Sequence, residues 1–167
     1  MLSSVEILIL SAVQGMSEFL PVSSAAHLIL ISKYYAFNNQ NLLIDICLHL
    51  GSLIAIIFYF RKDLFHFIKN RSFLIKIFVA TIPIIPVGYI LHQTGHINQL
   101  RNLEVIGWMS LIFAILLYIS DKTKISQKIE TGFTNKSAII IGLFQVLALI
   151  PGVSRSGITI TSGRLLG

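Results

Sequence analysis

Residues 5–32 read VEILILSAVQGMSEFLPVSSAAHLILIS, and residues 137–167 read SAIIIGLFQVLALIPGVSRSGITITSGRLLG. Each opens as an apolar run, meets a proline (Pro21, Pro151) and a serine-rich turn of small residues, and then resumes. A bilayer span needs about 20 consecutive apolar residues at about 1.5 Å rise each, and neither run reaches that length before its proline. Half a helix, a polar turn and the start of a second half-helix describe a re-entrant hairpin. Non-helical backbone is tolerated at membrane depth only where it lines a polar cavity or is buried in protein.

Three uninterrupted runs lie between the hairpins: Leu42 to Phe60, Phe73 to Leu91 and Leu103 to Ile119. The first ends in Tyr59-Phe60-Arg61-Lys62 and the third in Tyr118 before Asp121-Lys122, aromatic and cationic anchors of a membrane interface. Pro83 and Pro86 predict a kink in the second, tolerated where neighbouring helices satisfy the freed carbonyls. Composition agrees. The chain is 54% hydrophobic and 12% charged, with a mean hydropathy of +0.81, too little charge to cover a water-facing surface.

The fold class expected is therefore all-α: a polytopic membrane protein with re-entrant helical hairpins and an incomplete inverted-topology repeat. Residues 1–167 form one integral membrane domain. The first repeat covers residues 1–120, with a hairpin at 5–32 and spans at 42–60, 73–91 and 103–119. Residues 121–136 form a cytoplasmic loop, and the second repeat starts with a hairpin at 137–167. Three spans between the hairpins make the second enter from the opposite side, which places a site near the bilayer midplane where broken helices meet. By the same symmetry three further spans, on the order of 90 residues, would follow Gly167.

Charge sets the expected orientation. The 13 Lys and Arg exceed the 7 Asp and Glu by six, and they concentrate in two stretches. Arg61, Lys62, Lys69, Arg71 and Lys76 lie in one expected loop, from Arg61 to Lys76, and Lys122, Lys124, Lys128 and Lys136 in another, from Asp121 to Lys136, whereas the expected loop at residues 92–102 holds only Arg101. Two spans separate the basic stretches, so both can be cytoplasmic, leaving residues 33–41 outside. No aromatic-interleaved basic face accompanies the charge, which argues against a nucleic-acid partner. The lone Cys47 excludes an intrachain disulfide framework and reads as a packing residue. Glu6 stands where a secretion signal would carry Lys or Arg, so the N-terminus reads as mature protein.

The chemistry-bearing residues cluster at the hairpins. Gln14 and Glu18, at i and i+4, share a helix face; an ionisable Glu in an apolar hairpin is costly unless used, and its carboxylate suits Mg²⁺ or Ca²⁺, or general-base work. Either Ser23 or Ser24 can cap the helix that follows Pro21. His27 would lie over the same first turn as Ser24, which allows a Ser/His nucleophile pair. In Pro151-Gly152-Val153-Ser154-Arg155-Ser156-Gly157 the glycines let backbone N–H groups face a ligand, and Arg155 adds a fork of charged donors. A buried Arg there needs an anion, for which phosphate fits best, or else an ion pair with Glu18. Asp45 and His49 share a helix face near the outer end of the first span and could form a local pair or a site wall, of which the structural role is the one expected. His92 and His96 carry only a weak metal spacing.

At these residues the chain resembles the undecaprenyl-diphosphate phosphatase family, the bacterial bacitracin-resistance membrane proteins. Its first motif stands here as Gln14-Gly-Met-Ser-Glu18-Phe-Leu-Pro21-Val-Ser23-Ser24-Ala-Ala-His27, and its second as Pro151 to Gly157 followed by Thr159. Asp45-Ile-Cys-Leu-His49-Leu-Gly51-Ser resembles a further family segment. Gln14 departs from the Glu of many relatives, and Ala25, Ala26 and Val153 replace commoner hydroxylated or glycine residues.

The resemblance implies hydrolysis of undecaprenyl diphosphate to the monophosphate carrier and inorganic phosphate, in support of peptidoglycan synthesis and bacitracin resistance. It also implies site residues: Glu18, Ser24, His27 and Arg155 as catalytic, and Gln14, Ser23, Gly152, Ser154, Ser156 and Thr159 toward the substrate. Glu18 and Gln14 would hold a divalent cation. The expected partners are a polyprenyl diphosphate lipid and membrane lipids, with a homo-oligomer left open. Two rival classes stand beside this reading: a translocase of phosphorylated lipid or small anions, since transporters use inverted repeats, and an inactive partial phosphatase.

Overall fold

The computed structural model describes residues 2–37, 42–123 and 132–167, and every regular element among them is helical. Helix α1 (Ser4–Glu18) starts at a capping box, in which Ser3 and Glu6 satisfy each other's backbone N–H groups at 3.2 and 2.6 Å. It stops ahead of Pro21. Helix α2 (Ser24–Tyr34) then begins under Ser23, whose hydroxyl accepts from Ala26 N at 3.3 Å. The second hairpin repeats the plan with α9 (Asn135–Val146), a short 3₁₀ turn at Leu147–Leu149, and α10 (Arg155–Leu165) capped by Ser154. Both hairpins lie where the sequence places them.

The three expected spans are present as α3 (Leu42–Tyr59), the pair α5 (Arg71–Thr81) and α6 (Ile84–Gln93), and α8 (Leu103–Asp121). All three are long and apolar enough to cross a membrane, and only 6% of the first is buried inside the protein. Pro83 marks the break between α5 and α6, the expected kink. The stretch after α3 is not the expected loop: Arg61–Lys69 forms helix α4, with the basic residues spaced along its polar face. A short helix, α7 (His96–Leu100), likewise occupies the next connection. Residues 38–41 of the expected outer segment and 124–131 of the expected cytoplasmic loop lie outside the described residues.

Packing follows the solvent. Leu53, Ile54, Phe58, Ile75 and Ile115 face outward, while Gln14, Ser17, Ser120, Thr161 and Ser162 are buried. This inversion is what hydrocarbon surroundings favour, because apolar side chains have nothing to gain from hiding and polar ones must find partners. Helix α9 packs on α5 and α10 on α8. The first contact is close because Gly142 lacks a side chain: a Cβ there would stand 2.6 Å from the Ala80 carbonyl oxygen.

A candidate site where two helical hairpins meet

The two turns touch. Ser23 Oγ, besides capping α2, accepts from Gly152 N at 3.2 Å, and Ser156 Oγ donates to the Leu20 carbonyl at 3.2 Å. Gly152 sits at φ 103°, a conformation that disfavours any side chain, and a Cβ there would lie 2.8 Å from the Ile106 carbonyl oxygen of α8. Ser110 Oγ of α8 donates to the Gly152 carbonyl at 3.4 Å. The second turn is therefore clamped between α8 and the first turn.

On one side of the junction lies a polar cluster from α1, α2 and α3. Gln14, 1% exposed, donates through Nε2 to Glu18 Oε2 at 2.8 Å and to Ser52 Oγ at 3.1 Å. Ser24 Oγ donates to Glu18 Oε2 at 3.1 Å and also lies 3.3 Å from His49 Nε2. Ser23 caps, so Ser24 is free for this cluster. The sequence left that division open. The structure does not make the expected Ser24–His27 pairing: His27 turns its Nδ1 to the Ser23 carbonyl at 2.8 Å, and Ser24 meets His49 instead. His49 belongs to the cluster rather than to a merely structural pair with Asp45. Its signal in the sequence was the Asp45-Ile-Cys-Leu-His49 segment.

Beside the start of α2 lies a cavity of about 680 Å³. His27, Ser23, Gly152 and Ser154 line it together with Ser110, Tyr118 and Asp121 of α8, and Leu30, Phe113, Leu117, Ile158 and other apolar residues form its walls. Ser154 caps α10 through Gly157 N at 3.1 Å and contacts Ser156 Oγ at 3.0 Å. Arg155, the first residue of α10, is exposed and makes no ion pair among the described residues, so the alternative pairing with Glu18 is not formed. Thr159 bonds back to its own helix, to the Arg155 and Ser156 carbonyls, both at 2.9 Å.

A buried ion pair supports the polar cluster. Arg101 Nη2 and Asp45 Oδ2 are 2.6 Å apart, their side chains 17% and 5% exposed, and the Asp45 carbonyl accepts from His49 Nδ1 at 2.7 Å. For a divalent cation, the oxygen donors are the Glu18 carboxylate and the Gln14 amide oxygen, a buried acceptor with no hydrogen-bond partner. Among the described residues no three His, Cys, Asp or Glu side chains form a closed cage. A carboxylate and an amide oxygen are hard oxygen donors, the type that Mg²⁺ and Ca²⁺ take.

Such a fold, with half-length helical hairpins meeting at a polar junction among lipid-facing spans, defines a helical membrane protein with an internal site. A family model described as bacitracin resistance protein BacA matches residues 7–167, and the chain belongs to that family. It is 52% identical over 162 residues to the undecaprenyl-diphosphatase of Pelagibacter ubique, covering 96% of this chain and 63% of that protein. The protein of that name from Dinoroseobacter shibae is 41% identical over 174 residues, covering 96% and 65%. That from Alteromonas mediterranea is 42% identical over 176 residues, covering 97% and 65%. The chain thus spans just under two thirds of the length of the curated relatives it matches.

Proposed function

We propose that the chain carries the phosphatase site of a bacterial inner-membrane, multi-pass undecaprenyl-diphosphatase. The substrate would be a polyprenyl diphosphate, yielding the lipid monophosphate and inorganic phosphate. The observation that carries this reading is the junction of the hairpins. It brings the Ser24–Glu18 hydrogen bond of 3.1 Å beside a glycine- and serine-rich turn at the start of α10, where Arg155 follows the cap.

Each part has a chemical role there. Arg155 and the N–H groups at the start of α10 offer donors to a diphosphate. Ser154 and Ser156 add hydroxyls, and Thr159 stands one turn on from Arg155. Glu18 and Gln14 would hold a Mg²⁺ or Ca²⁺ ion, which when bound neutralises phosphate charge. The apolar walls beside His27 suit an isoprenoid chain, while the lipid-facing spans keep the carrier in the bilayer. Phosphoryl transfer depends chiefly on positioning and charge stabilisation, and these groups supply both. A translocase would need neither the serine nor a base, so the Ser24 cluster favours hydrolysis.

The test is phosphate release from undecaprenyl diphosphate by the detergent-purified 167-residue chain with Mg²⁺ or Ca²⁺, with Arg155→Ala in parallel. Release that disappears in the variant supports the reading. Transport of the lipid without phosphate release would replace it by the translocase.

A further inference from the structure

We infer that His49 is the proton acceptor for Ser24, held in place by the Asp45–Arg101 pair; this rests on the phosphatase reading and deepens it by naming the base. A backbone carbonyl has no proton to give, so the 2.7 Å contact between His49 Nδ1 and the Asp45 carbonyl puts the ring proton on Nδ1. Nε2 then carries a lone pair, and Nε2 is the atom 3.3 Å from Ser24 Oγ.

The other two acceptors are less suited. Glu18 Oε2 accepts from both Gln14 Nε2 at 2.8 Å and Ser24 Oγ at 3.1 Å, so its charge is shared between two donors, whereas His49 Nε2 meets no other donor among the described residues; transfer to His49 requires the Ser24 hydroxyl to turn from the carboxylate to Nε2, 3.3 Å away. His27 is within the same helical turn, but its Nδ1 is turned to the Ser23 carbonyl, its ring lines a cavity that Ser24 does not line, and no hydrogen bond among the described residues joins it to Ser24. The support behind His49 is also specific. Asp45 supplies the orienting carbonyl from its backbone, while its carboxylate is fixed at 2.6 Å by Arg101, which enters from the connection between α7 and α8. The ion pair therefore pins the turn of α3 that sets the imidazole.

The step balances as follows. Ser24 Oγ attacks the terminal phosphorus, the Oγ–P bond forms, and the bond from phosphorus to the bridging oxygen breaks, its electron pair leaving with the lipid monophosphate. The Ser24 proton passes to His49 Nε2 and on to the leaving phosphate. Water then attacks the phosphoserine; neutral His49 takes a water proton and delivers it to Ser24 Oγ as the P–Oγ bond breaks. One water is consumed, and lipid monophosphate, inorganic phosphate and free Ser24 result.

The pairing is tested without the lipid substrate, by the rate at which a fluorophosphonate reagent labels Ser24 in the purified 167-residue chain, read by peptide mass spectrometry. The unaltered chain is expected to label at Ser24, and Ser24→Ala not to. His49→Asn retains an amide donor for the Asp45 carbonyl but lacks Nε2, and should slow labelling by about 100-fold with an unchanged unfolding midpoint. Should that midpoint fall, His49→Gln serves as the second variant. His27→Ala should slow labelling less than His49→Asn does. Undiminished labelling in the His49 variants, an unreactive Ser24 in the unaltered chain, or a larger loss in His27→Ala overturns the inference. Labelling that depends on His49, in a chain releasing no phosphate from undecaprenyl diphosphate, would overturn the substrate reading alone.

Discussion

The two hairpins share a frame and differ in chemistry. In each, a proline stands in the turn between the two helices, a serine caps the second helix (Ser23 through Ala26 N, Ser154 through Gly157 N), and that helix runs for 11 residues. The residue directly after the cap is where they part: Ser24 in the first, Arg155 in the second. One hairpin presents a hydroxyl beside a carboxylate and an imidazole, and the other presents donors for an anion. The two turns thus supply similar helix starts, and the proposed reaction would need them to be chemically unlike. Phosphoryl transfer wants an attacking group and a charge-stabilising group on opposite sides of the phosphate, which symmetric turns with identical residues could not provide.

The largest expected effects fall on those two positions. Ser24→Ala and Arg155→Ala should each lower phosphate release from undecaprenyl diphosphate by about 10³-fold or more, as loss of a nucleophile or of the main charge-stabilising donor does. Arg155→Lys keeps the charge but not the fork and should recover only part of the rate. The comparison breaks if Arg155→Ala matches the unaltered chain in a phosphate-release assay, for then the second hairpin contributes structure alone.

The next effect concerns what holds the first hairpin's partner helix. Asp45→Asn leaves Arg101 buried without its carboxylate, and removal of one member of a buried pair costs on the order of 3 kcal/mol. With side chains 5% and 17% exposed, solvent does little to offset this loss. A lower unfolding midpoint in detergent, together with slower Ser24 labelling, is the expected outcome. A stability loss with labelling unchanged would reduce the pair to a structural brace.

The caps separate the hairpins a third way. Ser23 Oγ accepts from both Ala26 N and Gly152 N, so Ser23→Ala removes a cap and the bond between the turns, about 2 kcal/mol together. Ser154→Ala removes one cap, at about 1 kcal/mol. Equal midpoints for the two variants in thermal unfolding would mean that the 3.2 Å contact between the turns contributes nothing.

Much of this was legible in the sequence, for local reasons. Proline stops a helix and serine starts one wherever they stand, so both hairpins, the break at Pro83 and the three spans could be read from residue type and run length. The basic stretch after α3 was misread as a loop because its charges suggested solvent, although they are spaced to leave an apolar face on α4. The site was only half legible. Spacing put Gln14 with Glu18 on one face, but nothing local said that α3 packs on α1, and that packing alone brings His49 to Ser24. Nor could sequence divide Ser23 from Ser24, since both are competent caps and only the meeting of the turns assigns each its partner.

The smallest expected effect tests the ion pair at the far end of the second hairpin against the Asp45–Arg101 pair that holds α3 beside the first. Arg164 Nη2 lies 3.0 Å from Asp121 Oδ1, but the Asp121 side chain is 70% exposed, so the charge interaction is screened and worth well under about 1 kcal/mol. Arg164 also donates to the Ser120 and Asp121 carbonyls at 3.2 and 2.6 Å, closing the C-terminal end of α8, where a cation is favoured by the helix dipole. Those bonds survive Asp121→Asn. The midpoint should therefore move little in this variant and further in Arg164→Ala, which loses both carbonyl contacts. A shift for Asp121→Asn as large as that for Asp45→Asn would show that the two pairs, alike in distance, are also alike in energy, and that burial is not what distinguishes them.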